Sequence, residues 1–307
     1  MGRLIRIGTR ESELAVWQAT LVKNLLAQNG FEAELIFIKS EGDTDLKTPL
    51  YEIGVQGIFT KTLDIALLNK HIDIAVHSMK DVPTQMAKGI ISSAILPRAS
   101  YKDLLVPKQD ASFLNNEEFN AIIATSSIRR KAQWLNRYPN HTLENLRGNV
   151  NTRLQKVKDN NWHGAIFAAA GLERIGLRPA NAVELDWMLP APAQGAIMVV
   201  CREDDRYSFD ACKPLHDEQT ATSTTIERDF LRALLGGCST PISALAQIKD
   251  GMLHFEGNVL SLDGKEKKGI SKQVSVDNTA GLGNIAAGEL LNNGGQSILD
   301  GIRNGQK

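Results

Sequence analysis

Arginines placed where strands give way to helices are the most chemically suggestive feature of this sequence. Thr125-Ser126-Ser127-Ile128-Arg129-Arg130 sets hydroxyls and two guanidiniums at a helix start, where free backbone N–H groups already favour an anion. Leu146-Arg147-Gly148-Asn149-Val150-Asn151-Thr152-Arg153 repeats the arrangement after the next strand. Between positions 125 and 158 stand eight basic residues and one acid, Glu144. Guanidinium forks match carboxylate or phosphate geometry, so the cluster points to a polyanion or multi-carboxylate site. Solvated helix faces explain several of its lysines, but less well the arginines at the junctions. Thr9-Arg10-Glu11-Ser12 adds an arginine before the first helix, although Ser12 also suits an ordinary N-cap.

Two further segments carry reactive groups. His77-Ser78-Met79-Lys80-Asp81-Val82-Pro83 follows a buried apolar strand, the end at which open α/β sheets bind ligands. Its Lys-Asp pair is either a binding or acid–base pair or a solvated turn closed by proline. Cys238 lies in Leu235-Gly236-Gly237-Cys238-Ser239-Thr240-Pro241, a small turn that would admit a bulky group. A thiol with a pKa near ~8.5 is only partly ionised at neutral pH, yet strongly nucleophilic. The alternative is a buried structural thiol, which is the state expected of Cys201 in the apolar run Ala196–Cys201. Cys212 and His216 show no zinc-site spacing. Gly281-Leu282-Gly283 imitates a dinucleotide turn without the strand and acid that should follow, so a loop and helix start are expected there.

The elements that must position these groups alternate. Leu4–Gly8 reads as a strand, and Leu14, Trp17, Leu21, Val22 and Leu25 recur at helical spacing up to Gly30. A strand at Ala33–Ile38, a helix at Phe59–Leu68 and a buried strand at Ile72–His77 complete a βαβαβ order, which predicts a parallel sheet. The grammar restarts near residue 120, with strands at Ala121–Ala124, Leu143–Leu146 and Gly164–Ala169 and helices at Ile128–Leu135 and Thr152–Lys158. Two such units suggest two lobes around a cleft, joined by crossing segments at Pro97–Tyr101 and Pro190–Gln194. Past residue 215 a helix capped by Thr224, with Glu227 completing a capping box, is expected to run to Gly236-Gly237. Strands at Ser243–Ile248, Leu253–Leu260 and Gly269–Val276 follow, separated by the turn formers Asp250-Gly251 and Asp263-Gly264, then a helix at Ile285–Leu291. The fold class is therefore α/β, with a small antiparallel α+β third domain.

Composition limits the function classes. The 307 residues carry 35 basic and 35 acidic side chains, so no global attraction to nucleic acid or membrane is expected. No apolar run approaches the ~20 residues of a membrane span, and the N-terminus has no secretory h-region. Three cysteines form no disulfide framework, and a cytoplasmic setting is expected.

Together these segments resemble the porphobilinogen deaminase (hydroxymethylbilane synthase) family nearly end to end, from Ile5-Arg6-Ile7-Gly8-Thr9-Arg10 to the third-domain helix. The most specific pieces are HSMKDVP at 77–83, TSSIRR at 125–130, LRGNVNTRL at 146–154 and GGC at 236–238. The resemblance implies two lobes like those of type II periplasmic-binding proteins, at 1–98 with 196–215 and at 99–195, and a cofactor-attachment domain at 216–307. It implies a transferase of haem and porphyrin biosynthesis that condenses four porphobilinogen molecules head-to-tail, releases ammonia and hydrolyses the product to hydroxymethylbilane. It implies a dipyrromethane cofactor held by a thioether to Cys238 and contacted by Lys80, Ser127, Arg129, Arg130 and Arg147. Arg10, Ser12, Gln18, Arg147, Arg153 and Arg174 are implied to bind substrate, and Asp81 to be the catalytic carboxylate beside a cationic azafulvene. No metal, nucleic acid or membrane partner is implied, and the protein is expected to be a monomer. Two positions depart from the family pattern: Gln56, in Glu52–Phe59, stands where a lysine is common, and Ala193 where a glycine is usual. The rival readings are a two-lobed anion-binding protein without catalysis, which the cysteine-bearing third domain disfavours, and a nucleic-acid binder, which the neutral charge disfavours.

Overall fold

The computed structural model describes residues 2–39, 60–116, 118–235 and 240–305. Glu52, Gln56 and Cys238 lie outside them. The first lobe begins with β1 (Ile5–Thr9), α1 (Glu13–Gln28), β2 (Ala33–Phe37), α2 (Lys61–Leu68), β3 (Ile74–Ser78) and β4 (Ile90–Ile95). The second contains β5 (Asp103–Pro107), β6 (Ile122–Ala124), α3 (Ile128–Arg137), β7 (Thr142–Glu144), α4 (Val150–Asp159), β8 (Gly164–Ala168), α5 (Ala169–Arg174) and β9 (Val183–Glu184). The chain then returns to the first lobe as β10 (Ile197–Arg202) and α6 (Arg206–Cys212).

The first sheet has the order β2-β1-β3-β10-β4 and the second β7-β6-β8-β5-β9. Within each, three strands are parallel as the βαβ pattern predicts. The sheets are nevertheless mixed, which corrects the purely parallel expectation. β10 runs antiparallel to β3 and β4, and β5 antiparallel to β8 and β9. Both of these strands adjoin the crossing segments, so their direction is set by chain return rather than by a crossover helix. Each sheet is covered on both faces. Ile5, Ile7, Val22, Leu26 and Ile74 pack on one side of the first, and Leu63, Leu67, Ile72 and Ala75 on the other. Such double burial explains why β10 reads as a continuous apolar run up to Cys201 and β3 begins on one.

The crossing segments meet closely. Ala99 donates its N–H to the Gly195 carbonyl at 3.1 Å. Gly195 has a φ of +91°, and a Cβ there would stand 2.6 Å from the Ala99 oxygen, so only glycine fits. Ala193, with φ +62°, is left-handed without being glycine. Its N–H donates to Glu227 Oε2 at 2.6 Å.

Glu227 belongs to α7 (Glu218–Ala233), which opens the third domain. The cap there is Asp217, whose carboxylate accepts the Thr220 N–H at 2.8 Å. Thr224 is not the cap: it lies inside the helix and donates its hydroxyl back to the Thr220 carbonyl. The buried Glu227 carboxylate instead binds Arg98 at 2.6 Å and the N–H groups of Ala193 and Ala246, tying both crossing segments to the third domain. Three antiparallel strands, β11 (Ile242–Lys249), β12 (Met252–Leu260) and β13 (Lys267–Ser275), pack on α7 through Phe230 and Phe255. Asp250 and Gly251 both have positive φ, as the predicted two-residue hairpin requires. α8 (Leu282–Leu290) starts after a left-handed Gly281, and α9 (Gln296–Gly305) ends the described chain.

Candidate active site

The carboxyl ends of β1, β3, β6 and β8, and the loop after β7, face one cleft of about 730 Å³ between the lobes. Arg10, Ser12, Gln18, Lys80, Asp81, Ser127, Arg129, Arg130, Arg147, Arg153 and Arg174 all line it. The structure thus brings together every described residue to which the resemblance gave a cofactor, substrate or catalytic role. Thr240, two residues past Cys238, lines the same cleft.

Lys80 and Asp81 share one 3-10 turn, Met79–Asp81, directly after β3. Arg228 of α7 clamps that turn. Its Nη1 donates to the carbonyls of Met79 at 3.2 Å and Val82 at 2.8 Å, and its Nη2 to Pro83 at 2.6 Å. Lys80 Nζ donates to Gln194 Oε1 at 3.3 Å. Burial pushes the Lys80 ammonium down to about 8, and Arg130 and Arg129 push the same way against the opposing pull of Asp81 and Asp103.

The arginine pair of α3 is held from behind. Arg129 Nη2 donates to Asp103 Oδ2 at 2.7 Å, and Arg130 Nη2 and Nε to Asp103 Oδ1 at 2.6 and 3.0 Å. Asp103 is wholly buried. Burial alone would raise its pKa, but the two guanidiniums outweigh that and hold it well below the usual carboxylate range. Ser127 caps α3, its hydroxyl accepting the Arg130 N–H at 3.4 Å, so this side chain has the ordinary capping role as well as a place in the cleft. Ser12 occupies the α1 cap position without a capping bond. Gln18 is buried and donates to Ser78 Oγ at 2.9 Å.

Arg147 is buried at the head of α4, whose cap is Asn149. One turn on, Arg153 Nε is buried with no hydrogen-bond partner among the described residues. Burial, reinforced by Arg130, Arg147 and Arg10, pushes Arg153 down to about 10. Arg174 donates to the Gly195 carbonyl at 2.7 Å and lies over the Trp17 ring at 5.8 Å, bridging the lobes. A cleft with several under-neutralised guanidiniums favours a ligand with several negative charges. Asp103, Gln194 and Arg228 were missed by sequence reasoning. An acid heading an apolar strand, as in Asp103-Leu104-Leu105-Val106, was the one available signal.

Comparison with known proteins agrees with this chemistry. Residues 5–209 match the family model described as "Porphobilinogen deaminase, dipyromethane cofactor binding domain", and residues 221–292 the one described as "Porphobilinogen deaminase, C-terminal domain". The chain belongs to the porphobilinogen deaminase family. Porphobilinogen deaminase of Desulforamulus reducens is 40% identical, covering 100% of both chains. Probable porphobilinogen deaminase of Methanocaldococcus jannaschii is 43% identical over 88% of this chain and 92% of its own. A nutrient-binding protein from Burkholderia cenocepacia aligns at 13% identity and a TM-score of 0.44, over 70% of this chain and 93% of that one. The donor set fits the family's cofactor. Dipyrromethane carries carboxylates on each ring, and the cleft supplies arginines whose buried N–H groups, at Arg129 and Arg153, lack protein acceptors among the described residues.

Proposed function

We propose that this chain condenses four porphobilinogen molecules head-to-tail, releasing ammonia at each step, and hydrolyses the product to hydroxymethylbilane for haem and porphyrin synthesis. It is a transferase of its family. The observation that carries the reading is the cleft in which Lys80, Asp81 and seven arginines converge.

In each step the aminomethyl C–N bond of porphobilinogen breaks and ammonia leaves. The freed methylene carbon bonds to the open α-carbon of the preceding ring, which gives up its proton. Asp81 faces the cation left on the substrate. A carboxylate about 4 Å away at an effective dielectric of ~20 contributes roughly 4 kcal/mol, on the order of a thousandfold in rate. The dipyrromethane cofactor, joined by a thioether to Cys238, supplies the pyrrole end from which the chain grows. Lys80, Ser127, Arg129, Arg130 and Arg147 would hold its carboxylates and, together with Arg10, Ser12, Arg153 and Arg174, those of porphobilinogen as it joins the growing chain. Gln18, which lines the cleft beside Ser78, also binds substrate. The enzyme works as a monomer in the cytoplasm. An odd cysteine count and balanced charge support that setting, and no described helix is long and apolar enough to cross a membrane.

Intact-protein mass spectrometry tests the assignment. The parent should carry a two-pyrrole adduct and Cys238→Ser should carry none. An adduct mapped to Cys201 or Cys212 would overturn it. Both are buried in the first lobe, and burial pushes their thiols up to about 11 and 12.

A further inference from the structure

We propose that Asp103 is a positioning residue of the cleft, fixing the Arg129 and Arg130 forks directly and the Lys80 ammonium through Gln194, so that carboxylates meet donors already aimed. This deepens the proposed function and rests on it for the identity of the ligand.

The carboxylate is fully engaged. Oδ2 accepts from Arg129, while Oδ1 accepts from Arg130 twice and from Gln194 Nε2 at 2.9 Å. Gln194 Nε2 also donates to the Tyr101 carbonyl at 2.7 Å. With its amide nitrogen committed to two acceptors, its oxygen must face Lys80, to which it stands at 3.3 Å. Arg129 and Arg130 take one further protein acceptor each, the carbonyls of Leu189 at 2.7 Å and Ile166 at 2.9 Å. A guanidinium has five N–H donors, so each fork is fixed on one side and keeps donors for a ligand on the other. Asp103 supplies one negative charge against three positive ones, which orders the cations without neutralising them. A larger acidic cluster would hold them as firmly but would cancel the field that draws a carboxylate in.

The test separates positioning from mere support of the fold. Asp73 is an equally buried carboxylate, bound to Arg6 at 2.9 Å and Arg202 at 3.4 Å away from the cleft, and Asp73→Asn is the control. Asp103→Asn is expected to raise the KM for porphobilinogen about ten- to a hundredfold, the equivalent of one well-aimed charge-assisted hydrogen bond, with a smaller change in kcat. In a Cys238→Ser background, citrate should raise the Tm of the parent but not of Asp103→Asn. Asp73→Asn should lower the Tm and leave KM and the citrate response intact. If Asp103→Asn does not fold, Asp103→Glu, which keeps the charge but moves it by a methylene, and Gln194→Met should each still raise KM. Unchanged KM and an intact citrate response in the Asp103 and Gln194 variants would overturn the proposal. A citrate response that depends on Asp103, in a parent protein that releases no ammonia from porphobilinogen, would support the positioning role and overturn the functional reading instead.

Discussion

Arg153 should weaken the protein that it makes useful. Its guanidinium is partly buried, its Nε lacks a hydrogen-bond partner among the described residues, and Arg130, Arg147 and Arg10 all repel it. Asp81 offsets only part of this, and the pKa is pushed down to about 10. At neutral pH the side chain is charged in both folded and unfolded chains, so the full penalty stands; it lifts only as pH rises through about 10. From an ordinary arginine value of ~12.5, the cost of keeping that charge folded is on the order of 3 kcal/mol. Arg153→Met keeps the apolar stem and removes the charge, so the primer-free protein should gain about 1–3 kcal/mol. For a chain of this size that is a Tm rise of roughly 2–6 °C. The same change removes the charge-assisted contact to substrate proposed for Arg153 and should raise the KM for porphobilinogen about tenfold or more. The assay is thermal unfolding in a Cys238→Ser background, alongside steady-state kinetics in the primer-bearing enzyme. There, bound carboxylates should shrink or reverse the stability gain. A lower Tm in the primer-free background, or a parent-like KM, would refute the reasoning.

Other perturbations act on the same cleft. Asp81→Asn should retain the cofactor while ammonia release falls by about two to four orders of magnitude, leaving short pyrrole adducts visible by mass. Because Lys80 sits near 8, the KM for porphobilinogen should climb as pH passes from about 7 to 9, and Lys80→Arg should flatten that climb. Its depressed pKa also means that stability returns as pH rises from about 8 toward the free-lysine value of ~10.4; Lys80→Met should remove this rise in the primer-free protein. Gly195→Ala would set a Cβ 2.6 Å from the Ala99 oxygen and 2.8 Å from that of Ser100, and should cost about 3 kcal/mol or more, read as a large drop in Tm.

What the sequence disclosed follows from where local rules apply. The placement of Arg129, Arg147 and Lys80 at the cleft was legible because a strand running into a helix or a short turn fixes a direction, and the ends of parallel strands face one cleft. The helices and the third-domain hairpin were legible from period and turn chemistry. Their ends moved by a few residues, as with β7, which lies at Thr142–Glu144 rather than 143–146. The antiparallel β5 and β10 were not legible, since nothing within either strand records that its partner lies across a crossing segment. Thr224 and Glu227 matched a capping box by spacing alone, but Asp217 is free to cap and Glu227 meets a stronger demand from Arg98 and two buried N–H groups.

The residues that were missed share a physical character. Asp103, Gln194 and Arg228 bind other protein groups across 26 to 149 positions of sequence, and their types say nothing until the chain has folded. A ligand-binding arginine must leave donors free, so it falls at an accessible junction that a motif can mark. The carboxylate that aims it must be buried, paired and remote. The sequence therefore marks which side chains meet a ligand more readily than which ones hold them still. The Arg129–Asp103–Arg130 triad shows why the second group matters. Two like charges could not share the buried floor of the cleft without a counter-charge between them, and a counter-charge on the open side would occupy the place proposed for the substrate's own carboxylates.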